Sequence, residues 1–367
     1  MYKYSPFVCL LLLFQSCTTN EYTEVADAGQ EVKKQQIAMG QKLFAETKLS
    51  APEGQSCMNC HDPANGFSDP QHRAVTPGVH ADLFGNRNAP ALAYNALAPI
   101  RTFSVADNTY VGGLFWDGRA QDLEAQAVGP LFNPVEMSNT SVSSLAQKIK
   151  NLSYYNELLA LYGPFDNDQS LVSAVGRALA TFQRSAVVNS FTSKFDYVQR
   201  GLASFTADEQ KGLALYQGKG KCAQCHVLEE DERTGKILFT DFSYDNLGVP
   251  ANASNPFYLM PPSVNPLGTQ YVDFGLGEVT NEAAQRGKFK VPTLRNIAVS
   301  APYFHNGGMA TLEEVIHFYN KRDVEPLGVP EVPQNVNRTE LGNLNLTQTE
   351  EFQLKKFLET LTDHYRK

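Results

Sequence analysis

Apolar positions along the chain recur at the spacing of helices, and runs with strand alternation are scarce. Near the C-terminus, Leu354, Phe357, Leu358 and Leu361 stand at i, i+3, i+4 and i+7, behind the capping box Thr347-x-x-Glu350. Thr206-Ala207-Asp208-Glu209 opens another helix, which runs to Tyr216 and stops at Gly218-Lys219-Gly220. Thr311-x-x-Glu314 caps a third, with Leu312, Val315, Ile316 and Tyr319 on its apolar face. His317 falls well off that face, so the pattern predicts Tyr319 inward and His317 outward. Residues 31–46 read as an amphipathic helix with Ile37, Leu43 and Phe44 apolar, and 143–161 and 169–187 as two more. The rest is loop rich in Pro, Gly and Asn, as in 250–277. Loops this long inside a compact domain need something to wrap.

A repeated motif says what that is. Cys57-Met58-Asn59-Cys60-His61 and Cys222-Ala223-Gln224-Cys225-His226 are two copies of Cys-x-x-Cys-His. Such cysteines form thioethers with the haem vinyl groups, and the histidine ligates the iron as its proximal residue. A zinc site would need further Cys or His ligands close by, and the other cysteines, Cys9 and Cys17, lie in an N-terminal leader. A thioredoxin-like use needs no such histidine and expects a βαβ pattern that is missing. Each motif follows a helix and precedes a long irregular stretch, and a further helix closes the second half, as in a cytochrome c domain. The expected fold is therefore mostly α: two cytochrome c-like domains at 28–190 and 200–367, each wrapped around a covalent c-type haem, joined near 189–204.

The leader bears on compartment. Lys3 precedes a short apolar run, Phe7 to Phe14, too short to span a bilayer. It ends at Gln15-Ser16-Cys17, a small residue before a Cys, which resembles a bacterial lipoprotein signal over residues 1–17. Cys17 would then carry a lipid anchor; an ordinary secretory signal is the alternative. Either reading exports the chain to the periplasm, where haem attachment to Cys-x-x-Cys-His also takes place. With the four motif cysteines assigned to haem, no structural disulfide is expected. The net charge of −8 argues against nucleic acid as a partner and is compatible with docking a basic electron donor.

Further motifs carry a family resemblance. Phe115-Trp116-Asp117-Gly118-Arg119-Ala120, Gln126-Ala127, Gly129-Pro130 and Asn133-Pro134-x-Glu136-Met137 are similar to the bacterial di-haem cytochrome c peroxidases and the related MauG enzymes. So are Arg87-Asn88-Ala89-Pro90, Lys290-Val291-Pro292-Thr293-Leu294-Arg295-Asn296 and Ala301-Pro302-Tyr303-Phe304-His305. The resemblance implies that Glu136 and Gln126 line the distal pocket of the first haem, flanked by Pro130. There Glu136 would take a proton from hydrogen peroxide and return it to the leaving oxygen, with Gln126 positioning the peroxide. A lone Glu is otherwise a surface carboxylate. Trp116, the sole tryptophan, would pass electrons between the haems; it would otherwise be a core aromatic.

The second haem needs a ligand opposite His226, and His305, Met309, His317 and Tyr319 all follow it. The resemblance points to Tyr319, where typical peroxidases have Met and MauG has Tyr; a Met ligand raises a haem's potential, whereas a phenolate stabilises oxidised iron. Plain core is the other reading of Tyr319. His80 lies where peroxidases carry a histidine that caps the first iron at rest, and it reads equally as a solvated loop residue, as does His72. The resemblance also implies a calcium ion at Asn88, Ser300 and Pro302, held largely by carbonyl oxygens. The activity expected is peroxide reduction with electrons from a small cytochrome c or cupredoxin, in a chain that pairs as a homodimer in some relatives. A MauG-like enzyme oxidising a partner protein and a non-catalytic electron-transfer cytochrome are the alternatives.

Overall fold

The computed structural model describes residues 19–366, so the leader and Cys17 lie outside the described residues. The chain is mostly helical. Helix α1 spans Thr19–Phe44 and leads to the first Cys-x-x-Cys-His motif. A two-stranded hairpin follows, β1 (Thr102–Ser104) against β2 (Thr109–Val111), with Phe103 opposite Tyr110. Then come α2 (Leu123–Phe132), α3 (Val142–Lys150), α4 (Tyr155–Tyr162) and α5 (Asp168–Gln183). Helices α6 (Lys194–Gln199) and α7 (Ala207–Gln217) lead to the second motif. Beyond it lie β3 (Glu230–Asp231) with β4 (Lys236–Ile237), β5 (Tyr244–Asp245), α8 (Leu276–Thr280), β6 (Phe289–Lys290) paired with β5, α9 (Leu312–Lys321) and α10 (Gln348–Glu359).

The capping signals survive intact. The side chains of Thr206, Thr311 and Thr347 each accept from the backbone N–H three residues on, and Glu209, Glu314 and Glu350 answer them. Four expectations shift. The first helix starts at Thr19 rather than near 31, because residues 19–30 offer no apolar stripe for the pattern to register. The 143–161 stretch is two helices: the Asn151 N–H turns back to the carbonyls of Gln147 and Lys148, ending α3. The 169–187 helix ends at Gln183. The stretch 189–204 is not bare connection, since it contains α6 and buries Phe195.

Among the described residues, the two largest apolar clusters each centre on the helix that precedes a motif. One draws on Met39, Leu43 and Phe44 of α1 and Leu171, Val175 and Phe182 of α5. The other draws on Tyr216 of α7, Phe239, and Leu354, Phe357 and Leu361 around α10. In each, the helix before the haem motif crosses a partner so closely that a glycine is required. A Cβ on Gly40 would lie 2.1 Å from the carbonyl oxygen of Ala178, and one on Gly212 would lie 2.0 Å from that of Gln353. Polar links tie the halves together: Arg87, itself held by Asp117 within the first half, meets Asp273 at 2.7 Å, and the Tyr94 hydroxyl donates to Asp363 at 2.7 Å. Among the described residues no helix is long and apolar enough to cross a membrane.

Candidate active site

Both motifs fold into the same local shape. Cys57–Asn59 and Cys222–Gln224 each form a single 3-10 turn, and the backbone N–H of His61 and of His226 bonds the first cysteine's carbonyl at 2.9 Å. Each imidazole is tied back at Nδ1, His61 to the Phe67 carbonyl at 3.1 Å and His226 to the Phe239 carbonyl at 3.0 Å. A carbonyl can only accept, so Nδ1 carries the proton and Nε2 keeps its lone pair for a metal. Burial pulls both histidines down to about 4, which holds them neutral at pH 7. The Tyr216 hydroxyl donates to the His226 carbonyl and anchors the second turn from α7. All four cysteine thiols are unpaired, and burial pushes them up to about 12.

Each motif opens onto a mainly apolar cavity that is partly open to solvent. The first holds about 1600 Å³ of free space, part of it open to solvent, around Cys57, Cys60 and His61. The second holds about 1650 Å³ around Cys222, Cys225 and His226. Unpaired thiols beside a neutral imidazole with a free Nε2, facing a mainly apolar wall, are the donor set a c-type haem takes. The residues therefore fit the group in both places.

Gln126, Pro130 and Glu136 all line the first cavity. Asp122 caps α2 through the Ala125 N–H at 2.8 Å, and the helix carries Gln126 and Pro130 one turn apart. Pro130 has no N–H for the Gln126 carbonyl, so the helix is loosened at this wall. Glu136 follows on a turn in which its N–H bonds the Asn133 carbonyl at 3.0 Å. Its Oε1 accepts from Asn133 Nδ2 at 2.6 Å, while burial raises its pKa against the opposing pull of Asn133 and Arg119. Trp116 lines both cavities, with Nε1 donating to the Asn88 carbonyl at 2.9 Å. Arg119 stacks on Phe115, 3.7 Å from the ring centroid, at the same wall.

Tyr319 lines the second cavity, together with Asn88, Ser300 and Pro302. Its hydroxyl has no hydrogen-bond partner among the described residues, and burial pushes the phenol well up. His317 points away and bonds Glu325 at 3.0 Å and Glu351 at 3.2 Å. His305 also lines this cavity, stacked on Phe289 at 3.6 Å. His80 is not among the lining residues of either cavity; it sits in a turn closed by the Leu83 N–H on its carbonyl at 3.1 Å. His72 bonds the Ala301 carbonyl at 2.9 Å.

Other members of the site left little trace in the sequence. Phe257, Ser263 and Val264, from the far half, roof the first cavity, and Met260 receives the Phe84 N–H at 3.3 Å. Only the fold brings them there. Asn133 stands three residues before Glu136 in a proline turn, and that spacing was the available signal.

Known proteins share this arrangement. Residues 34–204 match the family described as di-haem cytochrome c peroxidase. The methylamine utilization protein MauG of Paracoccus denitrificans is 38% identical over 348 residues, covering 89% of this chain and 88% of its own. The cytochrome c551 peroxidase of Nitrosomonas europaea is 31% identical over 308 residues, covering 83% of this chain and 76% of its own. The crystal structure of the di-haem peroxidase BthA from Burkholderia thailandensis superposes with a TM-score of 0.80 at 32% identity, over 90% of this chain and 86% of that one. With more than four-fifths of its length matched by relatives at least 31% identical, the protein belongs to the family of di-haem cytochrome c peroxidases and MauG.

Proposed function

We propose that the protein is a periplasmic peroxidase that reduces hydrogen peroxide to water in the cavity of Cys57, Cys60 and His61. Its electrons would come from a small cytochrome c or cupredoxin. The observation that carries this reading is the common cavity of His61, Gln126 and Glu136. Family membership implies two c-type haems, which supply redox-active iron when bound.

The chain's own residues would do the proton work. Asn133 fixes Oε1 of Glu136 and leaves Oε2 free to take a proton from one peroxide oxygen and return it to the other. The amide of Gln126, with no side-chain partner among the described residues, orients the peroxide. Two electrons and two further protons complete the conversion of one peroxide into two waters. Trp116, in the wall common to both cavities, is the bridge for those electrons. Tyr319 and His226, which line one cavity, would both hold the iron of the second haem, whose charge would offset the burial that otherwise keeps the phenol protonated. Asn88, Ser300 and Pro302 are the calcium site, and 28–190 and 200–367 the two haem domains. His80 is the candidate cap of the first iron at rest, leaving when the second haem is reduced; it stands in a turn just off the cavity lining.

Tyr319 favours a second reading, a MauG-like enzyme that oxidises a residue of a partner protein. Stopped-flow absorbance on mixing with peroxide, fully ferric and half-reduced, separates the readings. Fast reaction of the ferric form favours MauG-like chemistry. Reaction only after half-reduction supports the gated peroxidase. Silence in both states leaves a non-catalytic electron-transfer cytochrome.

A further inference from the structure

The arginines that go inside this protein each meet a carboxylate. Arg87 has Asp273 at 2.7 Å, Arg295 has Asp196 at 3.0 Å and Arg322 has Asp323 at 2.7 Å. Lys290 does not. It is 5% exposed, in the same range as Arg295 and Arg322. Its Nζ donates to the amide oxygen of Asn95 at 2.9 Å and lies 5.7 Å from the centre of the Phe242 ring. No carboxylate stands within ion-pair distance among the described residues.

Its backbone is held firmly. The Lys290 N–H donates to the Trp116 carbonyl at 2.8 Å, and Lys290 pairs with Tyr244 in the short ladder of β5 and β6. A buried ammonium without a counter-charge is strongly disfavoured. Burial alone pulls this one down to about 8. Lys290 lines the cavity of Cys222, Cys225 and His226 and not the first cavity. The acids of that wall are engaged elsewhere: Asp273 with Arg87, Glu331 with the Asp273 N–H, and Asp245 and Glu340 with Asn337. His305, another basic group there, has Glu331 at 3.7 Å.

We propose that Lys290 is the counter-ion of a propionate of the haem attached at Cys222 and Cys225, and that it seats this haem and raises its reduction potential. The cation favours the reduced iron, which carries one positive charge fewer. The inference rests on haem attachment at the second motif, not on peroxide turnover. Lys290 is a positioning residue and touches no substrate.

The test uses the full haem-loaded protein and its Lys290→Met and Lys290→Arg variants. Haem content is read by pyridine haemochrome and each haem's potential by spectroelectrochemical titration. In Lys290→Met both haems are expected to be present, with the oxidised-to-reduced ratio of the second raised about tenfold at fixed potential, 59 mV for a one-electron couple. The first haem should not move, and Lys290→Arg should restore the second. Two haems with unchanged potentials in Lys290→Met would overturn the proposal. If that variant fails to fold, a crystal structure of the wild-type holoprotein decides. Nζ within hydrogen-bond distance of a propionate oxygen supports the pairing; Nζ on chloride or water, with both propionates elsewhere, refutes it. Wild-type protein without haem at the second motif would remove the haem reading itself, a failure distinguishable from the others.

Discussion

Helices α2 and α9 are one device used twice with different side chains. Asp122 caps α2 and Thr311 caps α9, each through the N–H three residues on. Counted from the cap, the fourth and eighth residues are Gln126 and Pro130 in α2, Val315 and Tyr319 in α9. Each pair lines its own cavity. The approach loops match as well. Phe115 and Phe304 both have φ of 66°, each is followed three residues on by a glycine of positive φ, and the bridges Leu114 to Ala120 and Tyr303 to Met309 close them. Trp116 and His305 occupy equivalent places. At the eighth position one half has a ring that cannot ligate iron and the other a phenol that can. On the proposed reading, that substitution gives the first haem no ligand from α2, on the side where peroxide would bind, and gives the second a ligand from α9.

The sharpest way to break this contrast is Glu136→Ala. Peroxide turnover should fall about 10²–10⁴-fold, the usual contribution of a positioned acid–base group, with both haems retained. Steady-state peroxide consumption within tenfold of wild type would remove Glu136 from the chemistry. Tyr319→Met exchanges the second ligand. The potential of the second haem should rise by at least a tenfold change in redox ratio, about 59 mV, while the first stays put. An unchanged titration curve would mean that Tyr319 is not on the iron.

The two helix crossings should fail alike. Gly40→Ala and Gly212→Ala each force a methyl into a backbone carbonyl, for about 1–3 kcal/mol. Thermal unfolding of the holoprotein that left either variant at the wild-type midpoint would show slack at that crossing. The smallest effect concerns pH. Glu136 must be ionised to accept a proton, and burial already sets its pKa above the ordinary carboxylate value, so activity should be lost as pH falls through that raised value. The Asn133 hydrogen bond opposes the rise. Asn133→Ala should therefore move the acid limb of kcat/KM to higher pH. A shift to lower pH would contradict the assignment.

Local signals carried well from sequence to structure. The threonine caps at 206, 311 and 347 need only residues within one turn, and all three stand as read. The inward Tyr319 and outward His317 follow from the same periodicity. What the sequence left illegible is non-local or subtractive. Asn151 ends α3 in mid-pattern because a side chain that suits a turn also tolerates a helix. Nothing around Lys290 marks it as lacking a carboxylate, since that absence depends on every element packed against it. His80 reads equally as ligand or loop residue because a capping role depends on where its turn sits against the first cavity, which no local pattern encodes.

The roof over the first cavity makes the halves interdependent. Phe257, Ser263 and Val264 close a chamber whose other walls come from residues 44–183. The first half alone has no such cover, so neither half is a self-sufficient site. Splitting the gene between them would not return two working cytochromes, since the half carrying Glu136 would lose its ceiling to the other product.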